Sequence, residues 1–202
     1  MNNNFLIAIV FPLVALGCVK DRISDNSGGS GVHTGSQLIH YWGFNKSDSI
    51  ALLTPDTTIG GGFINFQAAT IDTVQPGSSI NLRMGIDSGG AIRMRNPFAY
   101  MIIKAPTTGF KTPVLTFAGE RSNSGPAGNT VQYTIDGTNW LAAPTSTLTL
   151  NTTWALYTID FGSISAVDDN ANFAIKLVTT NNNTGTSGND RYDNISIDAV
   201  KK

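Results

Sequence analysis

A sugar is held by a flat aromatic ring against its apolar face and by planar polar groups on its hydroxyls. Three residues of this 202-residue chain have the types and positions for that work. Trp140 comes just after the turn Asp136-Gly137, where an indole can stay partly exposed. Arg93 and Arg95 stand two apart in Ala91-Ile-Arg-Met-Arg95, so in an extended strand they share a face. Two guanidinium forks so placed can grip hydroxyls or the carboxylate of an acidic sugar. Their other use is to pair with Asp or Glu, or to lay their stems over apolar surface. The remaining candidates, Trp42, Trp154, Tyr41, Tyr100 and Tyr157, are expected mostly in the core, because a β domain of this size needs its aromatics inside.

Catalytic chemistry finds little support. The two histidines, His33 and His40, are seven apart, and no His, Asp and Glu cluster has metal-ligand spacing. No Gly-x-Ser-x-Gly elbow is present, and His40 reads as a surface residue of the first strand. Glu120 is the only glutamate and abuts Arg121, which favours an ion pair or an exposed polar group over one half of a glycosidase acid pair. The chain is expected not to be an enzyme.

The elements that must position these residues are strands. Alternation places Val131, Tyr133 and Ile135 on one face, and Tyr157, Ile159 and Phe161 on another. Similar short runs occupy residues 38–44, 62–66, 91–95, 99–104, 113–121, 173–177 and 192–197. Turn clusters separate them, and Asp136-Gly137 after a β-branched run is a hairpin signature. No stretch of the mature chain carries a helical period. Some nine strands of this kind predict an all-β fold, an antiparallel two-sheet sandwich over residues 37–202. Charged residues make up 13% of the chain and the net charge is −1, which gives no reason to expect nucleic acid or an anionic surface as partner.

Cys18, the only cysteine, closes an apolar run over residues 5–16 that is too short to span a membrane. Ala15-Leu-Gly-Cys18 resembles the cleavage and lipidation box of a bacterial lipoprotein precursor, which implies a signal peptide over 1–17 and acyl chains, palmitate among them, on Cys18. Pro12 and the absence of Lys or Arg before the run depart from the usual pattern, and an ordinary cleaved signal with an incidental cysteine is the other reading. Residues 18–36 are rich in Ser, Gly and Asn and predict a flexible tether with a span of about 20 Å. Lys20-Asp21 resembles surface-export tags of some Gram-negative lipoproteins, which implies an outer-membrane lipoprotein facing the cell exterior.

Several pieces taken in order, Ile39-His-Tyr-Trp-Gly-Phe-Asn45, Ala91-Ile-Arg-Met-Arg-Asn-Pro97, Ala105-Pro-Thr-Thr-Gly-Phe110, residues 132–140, residues 156–161 and Arg191-Tyr-Asp-Asn-Ile195, resemble exported bacterial jelly-roll modules related in shape to carbohydrate-binding modules. The resemblance implies a jelly roll with glycan as leading ligand and no catalysis. In such modules the last strand often gives an Asp to a structural calcium ion. Asp193 stands at that kind of position, with Asn45 or nearby carbonyls to complete the site; a turn cap or a pair with Arg191 is the other use of Asp193.

The resulting expectation is a monomeric, non-catalytic binding module that meets the membrane through its lipid alone, with Trp140, Arg93 and Arg95 on the glycan. The alternative is a structural or adhesion-type lipoprotein that binds another surface protein. Asp48-Ser-Ile50, Asp56-Thr-Thr58 and Asp72-Thr-Val74 resemble bacterial O-glycan acceptor sites, which would suit such a coat protein.

Overall fold

A computed structural model describes residues 32–46, 53–67, 70–95, 100–180 and 188–202. Cys18, Lys20-Asp21 and Asp48-Ser-Ile50 therefore lie outside the described residues. No described helix is long and apolar enough to cross a membrane.

Among the described residues twelve strands form two antiparallel sheets, the jelly-roll sandwich expected from the alternation. They are β1 (Ser36–Trp42), β2 (Thr57–Thr58), β3 (Phe63–Gln67), β4 (Thr70–Val74), β5 (Ala91–Arg95), β6 (Tyr100–Lys104), β7 (Phe110–Arg121), β8 (Gly128–Thr134), β9 (Leu141–Thr149), β10 (Ala155–Asp160), β11 (Ala174–Thr180) and β12 (Asn189–Lys201). The larger sheet runs β10-β7-β12-β1-β2, with β5 also on β12 and β4 on β5. The smaller runs β3-β6-β11-β8-β9. A three-residue 3-10 turn, Ser165–Val167, lies between β10 and β11.

β1 begins one residue before the boundary read from composition. His33, in the segment expected to be tether, hydrogen-bonds through Nε2 to Asp160 Oδ1 at 3.0 Å, and the Ser36 amide donates to the His33 carbonyl.

The core is the stack of inward faces. Ile92 and Met94 of β5, Leu115 and Phe117 of β7, and Ile195 and Ile197 of β12 meet Ile64, Met101, Ile103, Val131, Ile175 and Leu177 from the smaller sheet. Each such side chain contributes about 1.5–3 kcal/mol by leaving water. Trp42 is fully buried, and its Nε1 donates to the Leu53 carbonyl at 3.1 Å.

β12 needs one extra residue to keep its faces in phase. Tyr192 points inward, and strict alternation would send Asn194 and Ser196 in after it. The register shifts between Asp193 and Ser196, with Asn194 at φ 49°, so Ile195, Ile197 and Ala199 join the core instead. This is a β-bulge, whose function is to change side-chain phase within a continuous strand.

His40 is not a surface residue. It is fully buried, donates from Nε2 to the Pro106 carbonyl at 2.8 Å and accepts at Nδ1 from Thr58 Oγ1 at 2.8 Å. Burial holds it neutral by lowering its pKa. Glu120 is also buried, and it pairs with Arg191 across the β7–β12 ladder, not with its neighbour Arg121. Arg121 donates to four carbonyls, of Leu150, Ser122, Asn123 and Gly125.

Asp190 enters the interior on the inward face of β12, two residues from Tyr192. It is fully buried, and neither carboxylate oxygen has a hydrogen-bond partner. Burial raises its pKa to about 8, against a smaller opposing pull from Arg121. Below about pH 4 the carboxyl is protonated in folded and unfolded chains alike. Between about pH 4 and pH 8 the unfolded chain loses this proton while the folded chain keeps it, so the group's contribution to stability falls across that window. Asp190→Asn is expected to melt close to the parent near pH 4 and several degrees higher at pH 8. An offset that does not change with pH would contradict this assignment.

Candidate functional site

The two outward faces differ in what covers them. On the larger sheet, the segment between β4 and β5 folds over the middle strands. Asn81 Nδ2 donates to the carbonyls of Thr116 and Asn194 and to Ser196 Oγ, at 2.6–3.2 Å. Arg83 pairs with buried Asp198 at 3.2 Å, and Asn194 Nδ2 reaches the carbonyls of Ser78 and Ile80. Tyr41 Oη donates to Asn194 Oδ1 at 2.6 Å under the same cover. These bonds fasten a lid of backbone to that face.

The smaller sheet carries no such cover among the described residues. Its outward side chains line up in register: Asn65 of β3, Ile102 of β6, Lys176 of β11, Gln132 of β8 and Ala142 of β9 form one row. Gln67, Tyr100, Val178, Thr130 and Thr147 form the next. All are half-buried or exposed.

Trp140 belongs to this face. The β8–β9 turn is locked by Asp136, whose carboxylate accepts from the amides of Thr138 and Asn139, from Asn139 Nδ2 and from Thr134 Oγ1. These donors hold its pKa well below the usual carboxylate range. Gly137 takes φ 80°, which a glycine adopts without strain. The turn delivers Trp140 on the outward side, since the next residue, Leu141, pairs with inward-facing Tyr133. The indole is half-buried, as expected for a ring just past a hairpin turn. Lys176 Nζ lies 4.0 Å from the Trp140 ring centroid and 5.4 Å from that of Tyr100. An ammonium over an aromatic ring is attracted by the negative π face. The resulting surface offers two rings, one cation and the amides of Gln132, Asn65 and Gln67, which suits stacking plus hydrogen bonding.

Arg93 and Arg95 are not part of that surface. They do project together, as their spacing requires, but from the outward face of the larger sheet. Both close on Asp72 of β4: Arg93 bidentately at 2.6 and 2.7 Å, Arg95 through Nε and Nη2 to Oδ2 at 3.1 Å. The hydrogen bonds from Arg93 lower the Asp72 pKa. Asp72-Thr-Val74, read as an acceptor-like motif, is thus a strand that supplies the arginines' counter-ion.

Asn45 and Asp193 each bond to the segment between β4 and β5, Asp193 near its start and Asn45 near its end. Asn45 accepts at Oδ1 from the Gly90 amide at 2.7 Å and donates to the Asp87 carbonyl at 2.8 Å. Asp193 accepts at Oδ2 from the Ser78 amide at 2.6 Å and at Oδ1 from the Asn194 amide at 2.8 Å. It has no cationic partner among the described residues, and burial raises its pKa to about 7. Gly77 lies between: a Cβ there would overlap the Ser88 and Gly90 carbonyl oxygens and Asp193 Oδ2. One buried carboxylate and two carbonyl oxygens therefore converge beside a residue with no side chain. Hard oxygens of this kind fit calcium, and Asp193 and Asn45 would hold it with those carbonyls. No group of three or more His, Cys, Asp or Glu side chains able to hold a metal occurs among the described residues. Any cation here would depend mainly on backbone oxygen.

No family model matches the chain. No curated protein matches it either. Solved structures do. The fold is similar to the CBM22-1 xylan-binding domain of Paenibacillus barcinonensis Xyn10C, with a TM-score of 0.51 and 9% identity over 86% of this chain and 99% of that one. It is similar to the tandem CBM22-1-CBM22-2 domain of the same protein, at TM-score 0.52 and 8% identity over 86% of this chain and 49% of that one. It also resembles the CBM22-1-GH10 modules of Clostridium thermocellum Xyn10B complexed with xylohexaose, at TM-score 0.50 and 9% identity, over 80% of this chain and 28% of that one. The chain has the sandwich of a carbohydrate-binding module; at these identities the likeness is one of fold.

Proposed function

We propose that this chain is a non-catalytic glycan-binding module on a lipid-anchored protein of the bacterial outer membrane, displayed toward the exterior. The observation that carries the reading is the bare outward face of the β3-β6-β11-β8-β9 sheet, where Trp140 and Tyr100 flank Lys176 among amide side chains. The shared fold with a xylan-binding domain supports it. The other sheet's outward face is fastened under the segment between β4 and β5, and Arg93 and Arg95 both bond to Asp72. Against catalysis stand the single glutamate paired with Arg191 and the buried, doubly bonded His40. Stacking on Trp140 gives affinity, and the amides of Gln132, Asn65 and Gln67 orient the hydroxyls.

Calcium at Asp193 is the second part of the proposal. A divalent cation beside this carboxylate would favour its ionised form and offset the desolvation that now raises its pKa. Its role would be structural, since it would tie the segment between β4 and β5 to β12.

Three outcomes follow. On a glycan array the mature protein binds a subset of oligosaccharides, and Trp140→Ala lowers that binding at least tenfold; a flat response across the array would remove the glycan reading in favour of a protein partner. Adding calcium to chelator-treated protein raises Tm by several degrees, because a ligand of the folded state alone stabilises it. Asp193→Asn abolishes the rise, and an unchanged Tm in the parent would dismiss the site. Cys18→Ala moves the protein from the membrane fraction to the soluble one; continued membrane association would rule out the lipid anchor.

A further inference from the structure

The strands divide their charges unequally. None of the five strands of the smaller sheet contains an Asp or Glu. Their only charged residues are Lys104 and Lys176. Every strand-borne carboxylate belongs to the larger sheet: Asp72, Glu120, Asp160, Asp190, Asp193 and Asp198. The hairpin carboxylate nearest in sequence to Trp140, Asp136, is already saturated by four donors of its own turn.

Both lysines face outward. Lys104 is opposite Ala174 and Lys176 opposite Ile102, so they are diagonal neighbours across the β6–β11 ladder. Neither forms an ion pair among the described residues. Lys176 is half-buried between Tyr100 and Trp140, and its ammonium lies against those two rings. Desolvation lowers its pKa, as expected for an ammonium partly withdrawn from water without a counter-charge. Like charges on adjacent strands without ion-pair partners repel each other, an arrangement that an anionic ligand would relieve. Lys176 Nζ lies over one face of the Trp140 ring, so a sugar that stacks there displaces the ammonium to the sugar's edge, where it meets the substituents.

We propose that the outward face of the smaller sheet selects glycans bearing carboxylates, such as uronic-acid oligosaccharides, with Lys176 as the residue that reads the acid group. This rests on the glycan-binding reading above and narrows it. The ring of the acidic sugar stacks on Trp140 and its carboxylate meets Lys176, while Lys104 adds longer-range attraction from the same face. Because these charges lie near the surface, the preference weakens with ionic strength.

The test uses the mature protein with Cys18→Ala for solubility and isothermal titration with three probes: oligogalacturonate, oligomannuronate and neutral xylohexaose. At 20 mM salt, at least one uronate oligomer is expected to bind about tenfold tighter than xylohexaose, about 1.4 kcal/mol, with most of that advantage gone at 300 mM. Lys176→Gln is expected to erase the preference. Lys176→Arg, which keeps the charge, is expected to retain the preference and guards against a folding artefact. Trp140→Ala is expected to weaken all three probes. Neutral binding that needs Trp140, without preference for uronates, would overturn the acidic-glycan inference and leave the glycan reading standing. Uronate preference that survives Lys176→Gln would overturn the role of Lys176. If no oligomer binds, both fall.

Discussion

The structure depends on β12. This one strand pairs with β7 along one edge and with β5 and then β1 along the other. Its inward residues Tyr192, Ile195, Ile197 and Ala199 are buried core. Its outward residues are also buried, which is unusual for one side of a two-layer sandwich, because the segment between β4 and β5 covers them. Asp193, Asn194, Ser196 and Asp198 each find partners in or under that cover. Buried polar groups must be satisfied or they cost free energy. The outward side of β12 therefore holds the segment in place, and the segment covers the middle strands of the larger sheet. The bulge at Asp193 and Asn194 allows the same strand to supply a continuous apolar face and this polar one.

The two sheets thus have different roles. The larger one carries the strand carboxylates and the fastened cover, and three of those carboxylates, Asp72, Glu120 and Asp198, pair with Arg93 and Arg95, Arg191 and Arg83. The smaller one leaves its outward face free of carboxylates and bare of backbone cover among the described residues. A face with two rings, unpaired ammonium groups and amides is poor packing surface and good ligand surface. The division follows from where acids fall along the chain, since a strand's position in the topology decides which charges become neighbours.

Much of the fold was legible because period two is a local signal. β5 at 91–95 was read with its final bounds, and β1, β3, β6 and β10 to within one or two residues. β9 was missed as a full strand: Pro144 breaks its alternation, and an edge strand tolerates that because its outer N–H groups need no ladder partner. β4 was missed because Asp72-Thr-Val74 is short and suggested another motif. The site was only partly legible. The position of Trp140 follows from its own turn, so a local reading found it. The carbonyls that surround Gly77 beside Asp193 have no sequence signal. The shared face of Arg93 and Arg95 was also read correctly, but their engagement with Asp72 depends on β4 pairing with β5, which neither strand announces. Lys176 was missed altogether. Only the register of β6, β11 and the β8–β9 hairpin brings it between Tyr100 and Trp140, and the signal that could have pointed to it was the absence of Asp and Glu from every strand of its sheet.

The most direct measurement of the central claim is amide and indole NMR shift mapping on the isotopically labelled mature protein as an oligosaccharide is titrated in. Shifts concentrated at the Trp140 indole N–H and at outward residues of β6, β8 and β11 would agree with binding on the open sheet. Shifts confined to β5, β12 and the segment between β4 and β5, with the Trp140 indole unmoved, would contradict it.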